Sequence, residues 1–538
     1  MTGAKQKYWH QGVELLSHKF WDFLTLFLLL LLSLLLLFST VQLITQGAVF
    51  EGLSHLANKV LNLVFTASIS LMIIVLIMEN GSPVRTLAWI LVLVYLPIIG
   101  FIFYLFFGRN WRKSRIFSRK GLEDVMNLQE HLLSGGCPDS SNPVFDNSLT
   151  NKLIKLLENN SKALLTCYNR VSIIPDTQDA FNQMLDSIRN AKQSIHVEYF
   201  SLANDEIGKQ FKEILIAKAH AGIKIRLIYD AVGCWKLSHF YKRSLRRAGV
   251  ELFPFLPSPF PTISSRLNYR NHRKLVIVDN QTAWLGGLNI GNKYLSKNKY
   301  FGYWRDTLLS MTGRSVRSLQ AIFLTDWFFV SRQNILKDFL AECADNITET
   351  ANDDSKDVPV QIVSSGPDSD WESIMQTYFA CIANARQSVH IASPYLILNE
   401  SLLMALKTAS LSGVEVKIVL PSKPDHHIVF WGSHSYYTEL LLAGVEIFEY
   451  QKGFMHAKVL IIDNEIVSIG TANMDLRSFN HNFELNAMLY DTEIASVAEQ
   501  QFRQDLAVCK QVFLQEFSQR SIWQKTKESI CRLFSPLL

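Results

Sequence analysis

The 538-residue chain is poor in charge, in paired cysteines and in any strong excess of one charge sign. Charged residues make up 19% of it, below the about 25% of ordinary soluble domains. With 48% hydrophobic residues, that excludes a disordered chain and a compact acidic module. The net charge of +5 is too mild to argue for nucleic acid as a partner. Seven cysteines (Cys137, Cys167, Cys234, Cys343, Cys381, Cys509 and Cys531) include no C-x-x-C pair. Such scatter supports neither a disulfide framework nor a zinc site and suits a reducing compartment. No cluster of metal ligands stands out, so neither a metal nor a cofactor is expected.

The apolar surplus is local, and nearly all of it precedes Gly108. Three uncharged runs, 23–44, 60–78 and 87–108, are each 19 to 22 residues long, enough to cross a hydrocarbon core of about 30 Å. Glu79–Thr86 join the second and third runs, and Gly81, Ser82 and Pro83 make the turn of the expected hairpin. Arg109, Arg112, Lys113, Arg115, Arg119 and Lys120 follow with no acidic residue among them. The positive-inside rule places that end, and the body after it, in the cytoplasm. The same cluster can hold anionic head groups. Lys5, Lys7 and Lys19 favour an inside N-terminus, which conflicts with three full spans. The first run therefore either spans or lies in the interface. A multi-pass cell-membrane protein is expected.

The rest of the chain is duplicated. Residues 193–200 (QSIHVEYF) match 387–394 (QSVHIASP), 221–228 (AGIKIRLI) match 412–419 (SGVEVKIV), and 248–253 (AGVELF) match 443–448 (AGVEIF). Each is a β-branched run of strand type, and Ala180–Ala191 and Glu372–Ala385 read as the amphipathic helices ahead of the first pair. Alternating helix and strand gives an α/β fold, and two copies imply two lobes related by pseudo-two-fold symmetry. The expected order is a membrane region at 1–108 and a basic connecting segment at 109–170. Lobes at 171–344 and 359–515 flank a linker at 345–358, and a C-terminal amphipathic helix occupies 516–538.

The clearest match is His272-Arg-Lys274-Leu-Val-Ile-Val-Asp279 against His456-Ala-Lys458-Val-Leu-Ile-Ile-Asp463. Gly286-Gly-Leu-Asn289 follows the first and Gly470-Thr-Ala-Asn473 the second, at identical spacing. On a strand, His and Lys two residues apart share a face. One such motif can be a core histidine beside a surface lysine. Two copies at equal spacing, inside a wider repeat, are better explained by shared chemistry.

These paired motifs resemble those of the phospholipase D superfamily. Asn268–Lys274, Gly286–Gly291, Tyr303-Trp-Arg-Asp306 and Gly453–Lys458 extend the likeness. With the apolar hairpin ahead of it, the chain looks like a bacterial cardiolipin synthase from about Val60 onward. The resemblance implies a duplicated, two-lobed phospholipase D-like body behind transmembrane helices. It implies a catalytic set of His272, Lys274, Asp279, His456, Lys458 and Asp463. His272 would be the nucleophile and His456 the acid and base, although the pseudo-symmetry alone does not choose between them. The motif aspartates are largely structural in that family. Asn289 and Asn473 would help the lysines bind phosphate. Asp306 and Glu484, 34 and 28 residues past their own lobe's histidines, would orient those rings. The implied partners are phosphatidylglycerol and other anionic membrane lipids; the acceptor lipid stays open. A hydrolase, a nuclease and a catalytically dead scaffold are the alternatives. Both catalytic halves lie in one chain, so no oligomer is required.

Two features bear on access to lipid. Phe253–Pro261, with four prolines, either dips into the bilayer or forms a rigid packed connection. Ile522, Trp523, Ile530, Leu533, Phe534 and Leu537 recur at near-helical spacing among Lys525, Lys527 and Arg532. That helix either lies on the membrane or docks on the body.

Overall fold

The computed structural model describes residues 148–257, 269–335 and 357–535, the stretch 83–96, and single residues between 63 and 104. The chain divides into two units, Met1–Ser114 and Arg115–Leu538. In the first, Pro83–Tyr95 form a helix. Pro83 is therefore its opening residue and not part of the turn, a position where proline loses no intrahelical hydrogen bond. Leu93 is buried while Leu87, Leu91 and Val94 are exposed, and the Trp89 and Tyr104 rings meet edge to face at 5.2 Å. Thirteen residues rise about 20 Å. Among the described residues no helix is long and apolar enough to cross a membrane. The run 23–44, most of 60–78 and the basic cluster at 109–120 lie outside the described residues.

The second unit holds two mixed sheets of one design. The first has the order Asn169–Ile174, Leu308–Gly313, Thr282–Gly286, Lys274–Val278, Ser194–Tyr199, Lys224–Asp230, Glu251–Phe255. The second repeats it as Val360–Ser365, Asn482–Leu489, Ile466–Gly470, Val459–Ile462, Ser388–Ala392, Glu415–Pro421, Glu446–Tyr450. Cys509–Val512 adds an antiparallel edge to the second. In each, the motif strand runs antiparallel to the central strand, whose other neighbour runs parallel. The helices Thr177–Arg189 and Ser373–Ala383 lead into the central strands. Asp176 starts the former by accepting the N–H groups of Gln178 and Asp179. Every residue of Ser194–Tyr199 and Lys274–Val278 is buried, as in a sheet covered on both faces.

The lobes are laced together by segments that sequence order assigns elsewhere. The helix Ser148–Ser161 falls in the expected connecting segment. Its Leu149, Leu153, Ile154 and Leu157 nevertheless pack in one core with Val389, Ile391 and Ile418 of the second lobe. Gln361 Nε2 donates to the carbonyls of Ile154 at 3.2 Å and Ala163 at 2.8 Å. The helix's apolar face finds its partner only about two hundred residues later, which no local pattern reveals. At the end of the expected linker, Asp357 accepts the Asn169 N–H at 3.0 Å, and the Val358 N–H donates to the Asn169 carbonyl at 3.0 Å. Residues 345–356 of that linker, and 258–261 of the proline-rich segment, lie outside the described residues. Cysteine usage also departs from expectation. Cys167 is disulfide-bonded, whereas Cys234, Cys381, Cys509 and Cys531 are free. Sequence spacing cannot reveal a pair that only the fold brings together.

Candidate active site

Each motif histidine follows a short strand, Arg270–Asn271 or Gly453–Met455. Among the described residues neither strand pairs within its own lobe. Arg270–Asn271 runs parallel to Asn482–Phe483, and Gly453–Met455 runs parallel to Tyr303–Arg305. One step further along each pair, His272 meets Glu484 and His456 meets Asp306. The His272 N–H donates to the Phe483 carbonyl at 2.9 Å, and the His456 N–H to the Arg305 carbonyl at 2.7 Å. His272 Nδ1 lies 2.9 and 3.0 Å from the two Glu484 oxygens. His456 Nδ1 lies 2.5 Å from Asp306 Oδ2. Each carboxylate thus meets the histidine of the opposite lobe. This corrects the within-lobe pairing that the resemblance implied, and its cause is the two strand pairs across the seam.

A carboxylate only accepts, so the proton of each neutral ring sits on Nδ1 and Nε2 keeps its lone pair. The carboxylates are themselves anchored. Thr471 Oγ1 donates to Glu484 at 2.6 Å and Asn482 Nδ2 at 3.1 Å. The Thr307 N–H donates to Asp306 at 2.8 Å. Phe200 stands edge-on to the His272 ring at 4.9 Å, and Trp304 lies 4.9 Å from that of His456. These supporting groups were not singled out from sequence, although Trp304 and Thr471 lie within the matched motifs and Phe200 closes a repeated run.

Lys274 and Lys458 are buried beside the rings. Lys274 Nζ donates to the His272 carbonyl at 2.6 Å. Lys458 Nζ donates to the His456 carbonyl and lies 2.8 Å from His456 Nδ1. Burial pushes Lys274 down to about 7 and Lys458 down to about 8, against the pull of the two carboxylates. Burial also takes His272 down to about 4 and His456 down to about 3. Lys458 depresses His272, and Lys274 depresses His456, so the two motifs share one electrostatic site. Burial raises Glu484 and Asp306, but the surrounding lysines and histidines hold both below the usual carboxylate range. Both carboxylates are therefore ionised, and the resting imidazoles are neutral.

The motif aspartates stand apart from this cluster, which corrects their inclusion in the catalytic set. Asp279 lies five residues beyond Lys274, about 16 Å along an extended strand. Its carboxylate accepts the N–H groups of Lys192, Gln193 and Ser194 at 2.7 to 3.0 Å. Asp463 likewise accepts from Arg386, Gln387 and Ser388. Both aspartates, with Asn280 and Asn464, have positive φ and form tight hairpin turns. They fasten the loop that enters the central strand.

Asn289 and Asn473 are buried. Asn289 Oδ1 accepts the Ser201 N–H at 3.2 Å. Asn473 Nδ2 donates to Asp475 at 3.1 Å, while its buried Oδ1 has no partner among the described residues. The lobes are also bridged by Arg305, whose Nε and Nη2 each lie 2.9 Å from Asp505. Asp505 carried no sequence signal; only the folded seam reveals it.

The chain is similar to known proteins. The family model described as "Cardiolipin synthase, PLD-like domain" matches residues 184–327 and 378–506. That described as "Phospholipase D-nuclease N-terminal" matches 67–109. The chain is 43% identical over 475 residues to cardiolipin synthase 2 of Bacillus anthracis, covering 88% of this chain and 91% of the relative. It is 41% identical over 489 residues to the major cardiolipin synthase of Bacillus subtilis, covering 90% of this chain and all of that protein. Its fold is similar to a phosphatidylserine synthase crystal structure from Haemophilus influenzae, with a TM-score of 0.54 at 15% identity. The match covers 73% of this chain and all of that one. The chain therefore belongs to the bacterial cardiolipin synthases of the phospholipase D superfamily.

Proposed function

We propose that the chain transfers a phosphatidyl group from one phosphatidylglycerol to a second, releasing glycerol and forming cardiolipin. In this reading His272 Nε2 attacks phosphorus and the bond to the glycerol oxygen breaks. His456, protonated on Nε2, gives that proton to the departing oxygen. The second phosphatidylglycerol then yields its hydroxyl proton to His456 as its oxygen attacks the phosphohistidine, which frees His272. Glu484 and Asp306 hold the tautomers and support the charged rings. Lys274 and Lys458 hold the non-bridging oxygens, with Asn289 and Asn473 beside them. Asp279 and Asp463 act as loop clamps. His272 takes the nucleophile's role because the family's pattern places it in the first half.

The charge balance supports this reading. With both lysines charged and both carboxylates ionised, the four groups sum to zero. An arriving phosphodiester brings one further negative charge, which favours a proton on His456. The two lipids arrive from a membrane, and residues 1–108 serve as a multi-pass anchor with the body on the cytoplasmic side. The apolar runs and the basic cluster after them support that topology.

The observation that carries the proposal is the crossed pairing of two buried histidines with two buried carboxylates beside two buried lysines. The test uses purified protein in vesicles of phosphatidylglycerol without added metal, with products resolved by mass spectrometry. Cardiolipin plus glycerol is expected. Phosphatidic acid without cardiolipin would make water the acceptor and the protein a hydrolase.

A further inference from the structure

A helix on the catalytic body is docked by its polar side. Ile522–Leu533 starts at Ser521, whose side chain accepts the Gln524 N–H. At about 100° per residue, Glu528, Arg532 and Ser535 fall on one side and Ile522, Trp523, Ile530 and Leu533 on the other. The polar side faces the protein. Glu528 is buried and pairs with Arg520 at 2.7 Å. Arg532 pairs with Glu439 at 2.7 Å. Tyr436 Oη donates to Ser535 Oγ at 3.3 Å.

The apolar side is left open, with Ile522 84% exposed, Trp523 69%, Ile530 50% and Leu533 78%. An amphipathic helix on a water-soluble body normally turns its apolar stripe inward. A contiguous exposed stripe of large side chains marks an interaction surface. Charge says which kind. Between Ser521 and Phe534 the single carboxylate is Glu528, and it is turned into the protein. Lys525 and Lys527 flank the open stripe on its two sides. Lys527 Nζ lies 5.6 Å from the Trp523 ring and 6.0 Å from that of Trp431.

The stripe adjoins a second exposed element of the same lobe. Trp431 belongs to the helix His427–His434, whose Ile428 is exposed as well. Just before that helix, Asp425 accepts from Tyr395 Oη at 2.6 Å and acts electrostatically on Lys458 and Lys293.

We propose that this face seats the catalytic body on an anionic phospholipid surface. Ile522, Trp523, Ile530 and Leu533 enter the boundary between head groups and acyl chains, and Lys525 and Lys527 meet the phosphates. The seat holds the second lobe against the layer that contains lipid substrate. It is a second attachment, distinct from the N-terminal apolar runs.

The test uses the full chain in vesicles of phosphatidylglycerol and phosphatidylcholine, with a nitroxide at Leu533→Cys and labelled wild type as background. Power saturation compares collision with oxygen and with a water-soluble nickel chelate. Relative to a label at Glu206→Cys, on an exposed site of the first lobe, nickel access should fall at least about threefold and oxygen access rise. A label as open to nickel as the control overturns the proposal. So does dipolar broadening that vanishes on dilution with unlabelled protein, since a second copy would then cover the face. The reading needs no turnover, so its failure is separable from failure of the proposed reaction. The double variant Ile530→Asp, Leu533→Asp gives the functional check. Transfer in vesicles should fall at least about tenfold, while turnover of dispersed short-chain phosphatidylglycerol stays unchanged. Equal loss on both substrates overturns the proposal.

Discussion

The two lobes share one scaffold but support their carboxylates differently. Asp306 and Glu484 occupy equivalent places, each two residues before the strand partner of its motif glycine. In the first lobe the residue after that glycine is Gly287, and a Cβ there would lie 2.1 Å from Asp306 Oδ1. In the second it is Thr471, whose hydroxyl donates to Glu484 at 2.6 Å. The shorter carboxylate is thus pressed against bare backbone, and the longer one is held by a side chain. Both lysines donate to the carbonyl of their own motif histidine, and Lys458 also crowds Nδ1 of His456 at 2.8 Å. The repeated scaffold thus sets its two carboxylates in unequal surroundings at positions 287 and 471.

The largest expected effects break the comparison outright. His272→Ala and His456→Ala should each lower transfer by about 10^3-fold or more. With an activated donor such as a phosphatidyl p-nitrophenyl ester, the two should differ. Its leaving group needs no acid, so His456→Ala should keep the first step and His272→Ala should lose it, as read by p-nitrophenolate release. Next comes the seam. Arg305 and Asp505 are a buried pair, so Arg305→Ala leaves an uncompensated carboxylate. It should cost about 3–5 kcal/mol in urea unfolding.

The supports give smaller effects of opposite origin. Gly287→Ala adds an atom against Asp306 and should lower kcat by about ten- to a hundredfold. Thr471→Ala removes a hydrogen bond to an ionised group, worth about 1–3 kcal/mol, and should cost about tenfold. Similar kcat values for the two variants and wild type would mean that these supports do not position the rings. The smallest effect is on pH. Both lysines must be charged to hold phosphoryl oxygens, and their values are lowered to about 7 and about 8. As pH rises through that range they lose their charge, so kcat/KM should fall on the alkaline side. Lys274 loses its charge first, so Lys274→Arg should move that limb upward.

Much of this was legible in the sequence. The repeat revealed two lobes because matching runs such as 193–200 and 387–394 became the central strands. It could not by itself say which repeated histidine reacts. His196 and His390 are repeated too, yet they are core groups. His196 bonds Gln320 and stacks on Phe323, while His390 bonds Glu499 and stacks on Phe502. Only the second histidine pair carries a lysine two residues on. The crossing of carboxylates was not legible, because it rests on parallel pairing over only two or three residues. The resemblance had set each carboxylate against its own lobe's histidine, the wrong partner in both lobes. The role of Asp279 and Asp463 had a readable signal in the Asp-Asn pair between two strand-like runs. Asp505 and the packing of Ser148–Ser161 on the second lobe had none.

The most direct test of the crossed site is the first-step burst with the activated ester in four variants. His272→Ala and Glu484→Gln should lose the burst together, whereas His456→Ala and Asp306→Asn should keep it and fail only in transfer from phosphatidylglycerol. Loss of the burst in His272→Ala and Asp306→Asn, with its survival in Glu484→Gln, would show that each carboxylate serves its own lobe and would contradict the account.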